Sequence, residues 1–213
     1  MIKMEGPDTF VQLPLAIDPN TKAISSSSSS GALEAELAAL NSLHRSFVVD
    51  LEGPMGVPPP PVPVNPKRSA QITKLKETGN ASFKKGAYPD AVRMYGLAID
   101  MAAKRPLWEP AGLVREELSQ LYNNRAQAFM AQQMWPEAAL DAFCSTELKK
   151  VANTKGWYRR TTALKEQGRL DEALDVIKEA IDFESAGPDK EGVETLAKLL
   201  NEIETALEKK TAA

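Results

Sequence analysis

The 213-residue sequence contains one cysteine, Cys144, and one histidine, His44. A lone thiol excludes an internal disulfide framework and suits a reducing compartment. Cys144 lies among Ala142, Phe143 and Leu148 and reads as a small packed residue. His44 has no metal-ligating or acid–base companions in its stretch, so it too reads as structural, because such sites need clusters. Positive charge is not in excess: 26 Lys and Arg against 29 Asp and Glu give a net charge of −3. That balance speaks against nucleic-acid partners and confines any cationic site to a local patch. No run reaches the ~18 apolar residues of a membrane span. Residues 1–4 lack the basic-then-apolar signal pattern, and no lipidation motif is present. The expectation is a chain with no direct membrane insertion, whose membrane attachment comes from a partner. Paired carboxylates, metal clusters and nucleophile constellations are likewise missing, so no enzyme activity, cofactor or metal is expected.

Proline is plentiful but concentrated. Residues 54–66 include Pro58–Pro61, Pro63 and Pro66, which favour extended geometry and mark a linker over residues 54–69. Before it, residues 1–53 read as a small module of a hairpin and a helix, to which the resemblance named below assigns partner binding. Val11, Leu13, Leu15 and Ile17 alternate as in a half-buried strand, Asp18-Pro19-Asn20 is turn chemistry, and residues 21–25 return as a second strand. The serines at 25–30 read as a flexible connector. Leu33, Leu37, Leu40, Leu43 and Phe47 then form a helical apolar stripe opening near Gly31 and Glu34.

After the linker the sequence repeats. Leu75, Gly79, Phe83, Gly86, Tyr88, Ala91, Tyr95 and Ala98 are echoed by Ala126, Phe129, Gln133, Trp135, Ala138, Ala142 and Ser145. They are echoed again by Thr161, Leu164, Gly168, Leu170, Ala173, Ile177 and Ala180. The second and third units are offset by 35 residues, close to the ~34 of tetratricopeptide repeats. The first and second are 47 apart, with the excess in an inserted loop at residues 103–113, where Pro106 and Pro110 interrupt any helix and Trp108 is a large anchor. The array occupies residues 70–187. Residues 188–213 form a capping helix with the stripe Val193, Leu196, Leu199, Leu200, Ile203 and Leu207.

Lys76 and Asn80 stand four residues apart, as do Lys155 and Arg159, so each pair shares a helix face. Asn124 occupies the corresponding helix of the middle unit. If the first helix of each pair lines the concave side, five donors converge on one groove, which suits a carboxylate-ended peptide. Desolvating two neighbouring anions requires several matched donors, and charge-assisted bonds contribute ~1.5–3 kcal/mol each.

The segments Leu75-Lys76-Glu77-Thr78-Gly79-Asn80, Tyr122-Asn123-Asn124-Arg125-Ala126 and Lys155-Gly156-Trp157-Tyr158-Arg159-Arg160 resemble the dicarboxylate clamp of co-chaperone tetratricopeptide domains. With the insertion around Arg105-Pro106-Leu107-Trp108-Glu109, the whole chain resembles the soluble tetratricopeptide subunit of the fungal post-translational translocation complex at the endoplasmic reticulum. The resemblance implies an all-α fold: three helix-turn-helix repeats plus a C-terminal capping helix, a right-handed α-solenoid, preceded by a small mixed β-hairpin/helix module. It implies that Lys76, Asn80 and Asn124 grip a terminal carboxylate while Lys155 and Arg159 hold neighbouring acidic groups. The implied ligand is the Glu-Glu-Val-Asp tail of cytosolic heat-shock chaperones. The implied setting is the cytosolic face of the endoplasmic reticulum membrane, held peripherally through a membrane-anchored sister subunit, where the adaptor docks chaperone-bound precursors at the translocon. The alternatives are a soluble co-chaperone adaptor for a ninety-kilodalton chaperone and a scaffold with an unused groove.

Overall fold

A computed structural model describes residues 13–27, 30–50, 64, 66–106 and 109–211, with the side chains of 46–50 and 211 excepted. The Pro-rich residues 51–63 and the insertion's Leu107 and Trp108 lie outside the described residues, and so do the expectations placed on them. The chain divides into two compact units, residues 1–60 and 61–213.

In the first unit, β1 (Leu15–Ile17) pairs antiparallel with β2 (Ile24–Ser26), Ala16 opposite Ser25. The turn forms because Asp18 Oδ1 accepts the backbone N–H groups of Asn20 and Thr21, each at 2.8 Å, and this bonding holds the Asp18 carboxyl below its ordinary value. The strand is not half-buried as the alternation suggested: Leu15 and Ile17 are 55% and 64% exposed. Three residues per strand bury little, and the hairpin is held instead by polar bonds to the helix α1 (Gly31–Asp50). Asn41 on α1 gives its side-chain N–H to the Ile24 carbonyl at 2.8 Å, and its Oδ1 accepts the Ile24 N–H at 2.6 Å. One amide thus stands in for a neighbouring strand. The serine run is likewise more than a connector. Ser25 and Ser26 belong to β2, and Ser30 caps α1, its Oγ accepting the Leu33 N–H at 3.2 Å.

The second unit is a stack of helical hairpins: α2 (Pro66–Lys84) with α3 (Tyr88–Ala103), α4 (Ala111–Met130) with α5 (Trp135–Leu148), and α6 (Thr154–Glu166) with α7 (Leu170–Glu184), followed by α8 (Lys190–Thr211). Helix α2 starts inside the stretch expected to be linker because proline suits a first helical position, where its missing N–H costs no bond. The connection between α3 and α4 spans residues 104–110, so residues 111–113 of the expected loop are helical.

The three hairpin turns repeat one geometry. Gly86, Gln133 and Gly168 adopt φ of +76°, +58° and +74°. The residue after each donates to a carbonyl five residues back: Ala87 to Ser82, Met134 to Phe129 and Arg169 to Leu164, at 3.0 to 3.1 Å. This is the left-handed helix stop that glycine favours. Pro89 and Pro136 then start α3 and α5.

Packing follows the small-and-large pattern of the repeats. Ala91, Ala138 and Ala173, one per hairpin, are fully buried and allow the helices to approach closely. One core gathers Ile72, Tyr95, Ile99 and Leu121; the other gathers Trp157, Leu164, Ile177, Leu196 and Ile203, with Trp157 stacked on Phe183. Leu196, Leu199 and Ile203 give α8 its buried stripe against the end of the stack. The connection after α3 is fastened by Arg105, whose side chain is sealed from solvent. It bonds Glu117 Oε1 and Oε2 at 2.7 and 2.8 Å, Ser69 Oγ at 2.7 Å, and Glu109. Helices α2 and α4 are thereby tied at their beginnings.

Candidate functional site

The helices that open the hairpins touch in sequence, α2 to α4 and α4 to α6, and α6 also touches the cap α8, whereas among the described residues the backbones of α3, α5 and α7 do not approach one another. A stack joined this way curves with its first helices on the inside. Lys76 and Asn80 stand on α2, Asn124 on α4, and Lys155 and Arg159 on α6. All five expected residues are therefore carried by inner-row helices.

Asn80 and Asn124 meet directly: Asn124 Nδ2 donates to Asn80 Oδ1 at 3.3 Å. The Tyr95 hydroxyl, from within the first core, donates to the same oxygen at 2.7 Å. Lys76 Nζ reaches Gln120 Oε1 on α4 at 3.1 Å, one helical turn before Asn124. Arg159 donates to Asn123 Oδ1 and, at 2.8 Å, to Gln127 Oε1, so the side of α4 next to Asn124 holds it from both directions. Lys155 is the outlier. It is exposed, bonds to none of the other four, and lines a cavity of about 320 Å³ together with Asn123, Gln120, Asn153 and Thr154.

Electrostatics separates these cations from those that brace the array. Arg105, Arg125 and Lys149 are each neutralised by a carboxylate at 2.7 to 2.8 Å, whereas Arg159 and Lys155 have no ion-pair partner among the described residues. Burial pushes the Arg159 guanidinium down to about 10, and the nearby Tyr95 hydroxyl opposes that shift only in part. A desolvated cation held by two neutral amides keeps its charge available to an incoming anion. Asn153, buried, lines the same cavity as Lys155. Its amide donates to the carbonyls of Ser145 and Lys149 at 3.1 and 2.9 Å, and its N–H is bound by Glu184 at 2.6 Å.

Sequence reading singled out neither Gln120, Asn123 nor Gln127, although each lies three or four residues from Asn124 or from one another, the spacing of one helix face. It treated Tyr95 as core alone. Cys144 is half-buried on α5, and burial, followed by the charge of Asp141, pushes its thiol up, the opposite of an activated nucleophile. Among the described residues no group of histidine, cysteine and carboxylate side chains is arranged to hold a metal ion, His44 included. No helix of the described residues is long and apolar enough to cross a membrane.

Three hairpins with a repeated left-handed turn, buried small residues and a polar inner row define a tetratricopeptide-repeat protein. The chain is 36% identical over 152 residues to the ER protein translocation subcomplex subunit sec67 of Schizosaccharomyces pombe, an alignment covering 70% of this chain and 78% of that one. The chain belongs to that family of tetratricopeptide translocation subunits. No family model matches it. A chain in the cryo-EM structure of the Sec complex from S. cerevisiae has the same fold, with a TM-score of 0.63 and 20% identity over 92% of this chain and 99% of that one. The second tetratricopeptide domain of human RPAP3, solved in complex with the HSP70 peptide SGPTIEEVD, superposes with a TM-score of 0.50 at 25% identity. That match covers 64% of this chain and 98% of that domain.

Proposed function

We propose that the chain is an adaptor of the post-translational translocation machinery, in which the inner row of helices binds the acidic C-terminal tail of a cytosolic heat-shock chaperone. Asn80 and Asn124 together with Lys76 take the terminal carboxylate; Arg159 and Lys155 take the neighbouring acidic groups. The observation that carries the reading is Arg159. A half-buried guanidinium beside a pair of joined asparagine amides, with amides as its only hydrogen-bond partners among the described residues, is an arrangement that an anion completes. The RPAP3 domain, whose ligand ends in the same Glu-Glu-Val-Asp, supports this choice of ligand.

The placement at the cytosolic face of the endoplasmic reticulum, held by a membrane-anchored sister subunit, rests on the relationship to the fission-yeast subunit and on the likeness to a chain of the Sec complex. The module of residues 1–53 is assigned to that partner, and the array of residues 70–187 with its cap to the chaperone. In this arrangement the adaptor brings a chaperone and its bound precursor next to the channel. Affinity capture from cell extract with the full chain tests it. The reading requires both a chaperone with an acidic tail and a membrane-anchored translocation subunit in the eluate, with Arg159→Ala removing the chaperone alone. Recovery of a chaperone without any membrane subunit would point to the soluble co-chaperone alternative.

A further inference from the structure

We propose that Tyr95 is a specificity-determining residue of this clamp: it fixes which end of the Asn80 amide faces the groove and so makes the carboxylate end of the site a donor-only receptor. The proposal rests on the chaperone-tail reading above and sharpens it.

Tyr95 is 2% exposed, and its ring lies against the backbone of α2 at Gly79. A Cβ at residue 79 would come within 2.6 Å of the ring, so glycine is what lets tyrosine lie there. From that position the hydroxyl donates to Asn80 Oδ1 at 2.7 Å, and Asn124 Nδ2 donates to the same atom at 3.3 Å. A side-chain amide has one acceptor end and one donor end. With two donors aimed at its oxygen, Asn80 keeps Oδ1 inward, and turning the amide over would set its N–H groups against those of Asn124. A tyrosine hydroxyl can donate or accept; because Asn124 Nδ2 already donates to Oδ1, the atom that Tyr95 meets is the acceptor end of the amide, and the hydroxyl donates to it. Asn80 Nδ2 has no hydrogen-bond partner among the described residues, so both of its hydrogens remain for a ligand. A free carboxylate satisfies them. A carboxamide, which brings N–H groups of its own, meets donor against donor.

Tyr95→Phe keeps the ring and removes the hydroxyl, so only the longer bond from Asn124 holds the Asn80 oxygen, and the two amides can turn over together. The test titrates full-length wild-type and Tyr95→Phe protein with two peptides ending in Glu-Glu-Val-Asp, one with a free terminal carboxylate and one with a terminal amide. Wild type should prefer the acid by at least about tenfold, and the variant by no more than about threefold. A purely structural role would weaken both peptides equally, and an unchanged preference in the variant overturns the proposal while leaving the clamp standing. A wild type that binds neither peptide overturns the clamp itself. If the variant does not fold, nuclear Overhauser spectra of the wild type decide. The Asn80 Nδ2 hydrogens should show no cross-peak to the Tyr95 ring, and a strong one would mean that the amide faces the other way.

Discussion

Arg159 on α6 donates to Gln127 Oε1 on α4 at 2.8 Å, a bond between a charged group and a neutral one across adjacent inner helices. The charge of Arg159 is positioned by this contact without being cancelled. Gln127→Glu would place a carboxylate where the amide now sits and neutralise the guanidinium internally. Peptide affinity should fall about tenfold or more while the melting temperature stays level or rises, read by calorimetric titration beside thermal unfolding. Unchanged affinity would mean that Arg159 does not meet the ligand.

Arg105 ties the α3–α4 connection to α2 and α4 through Ser69, Glu109 and Glu117. Arg105→Ala leaves two half-buried carboxylates without their buried cation and should lower unfolding stability by up to about 3 kcal/mol in denaturant titration. Replacement by methionine, which fills the volume, should not restore it, because the carboxylates stay unpaired.

Gln133 is the exception among the three hairpin turns, holding a left-handed φ of +58° where the others have glycine. Gln133→Gly should therefore stabilise the array, by up to about 1 kcal/mol, since the strain of a side chain in that region is removed. Gly79→Ala should do the reverse, driving a methyl group into the Tyr95 ring at a cost of about 1–3 kcal/mol.

Glu116 sits on the cavity wall, where Lys149 bonds it at 2.8 and 3.0 Å and Gln120 at 2.9 Å, and these bonds hold its carboxyl below the ordinary glutamate range. A carboxyl depressed in the folded state contributes stability above its unfolded value and loses it as pH falls through the folded one. Carboxyl-carbon NMR should show Glu116 titrating below its exposed neighbours. Glu116→Gln should flatten the acid limb of the stability curve by lowering stability at neutral pH while leaving the acid end almost unaffected.

The repeat architecture was legible in the sequence because its signal is redundant. Alanine recurs at 91, 138 and 173, and the aligned residues 86, 133 and 168 turned out to share one backbone conformation even where the residue was glutamine. The N-terminal module was legible only in outline. Its hairpin is held by the single amide Asn41, which looks like any polar residue on an amphipathic helix, and Ser30 was lost in a run of identical serines although it caps α1. At the candidate site, charge and fourfold spacing drew attention to Lys76, Asn80, Lys155 and Arg159. The residues that position them escaped notice for physical reasons. Gln120, Asn123 and Gln127 carry no charge and resemble a solvated face, and Tyr95 occupies a core position of the repeat, so its hydroxyl partner is visible only when α2 and α3 are set side by side.

The most direct measurement titrates a free-acid peptide ending in Glu-Glu-Val-Asp into the wild-type chain, Lys76→Ala and Arg159→Ala, with circular dichroism recorded on each. The account predicts affinity near the micromolar range, about −8 kcal/mol, for the wild type and a loss of at least about tenfold in each variant at unchanged helix content. Equal affinity in all three proteins would contradict it.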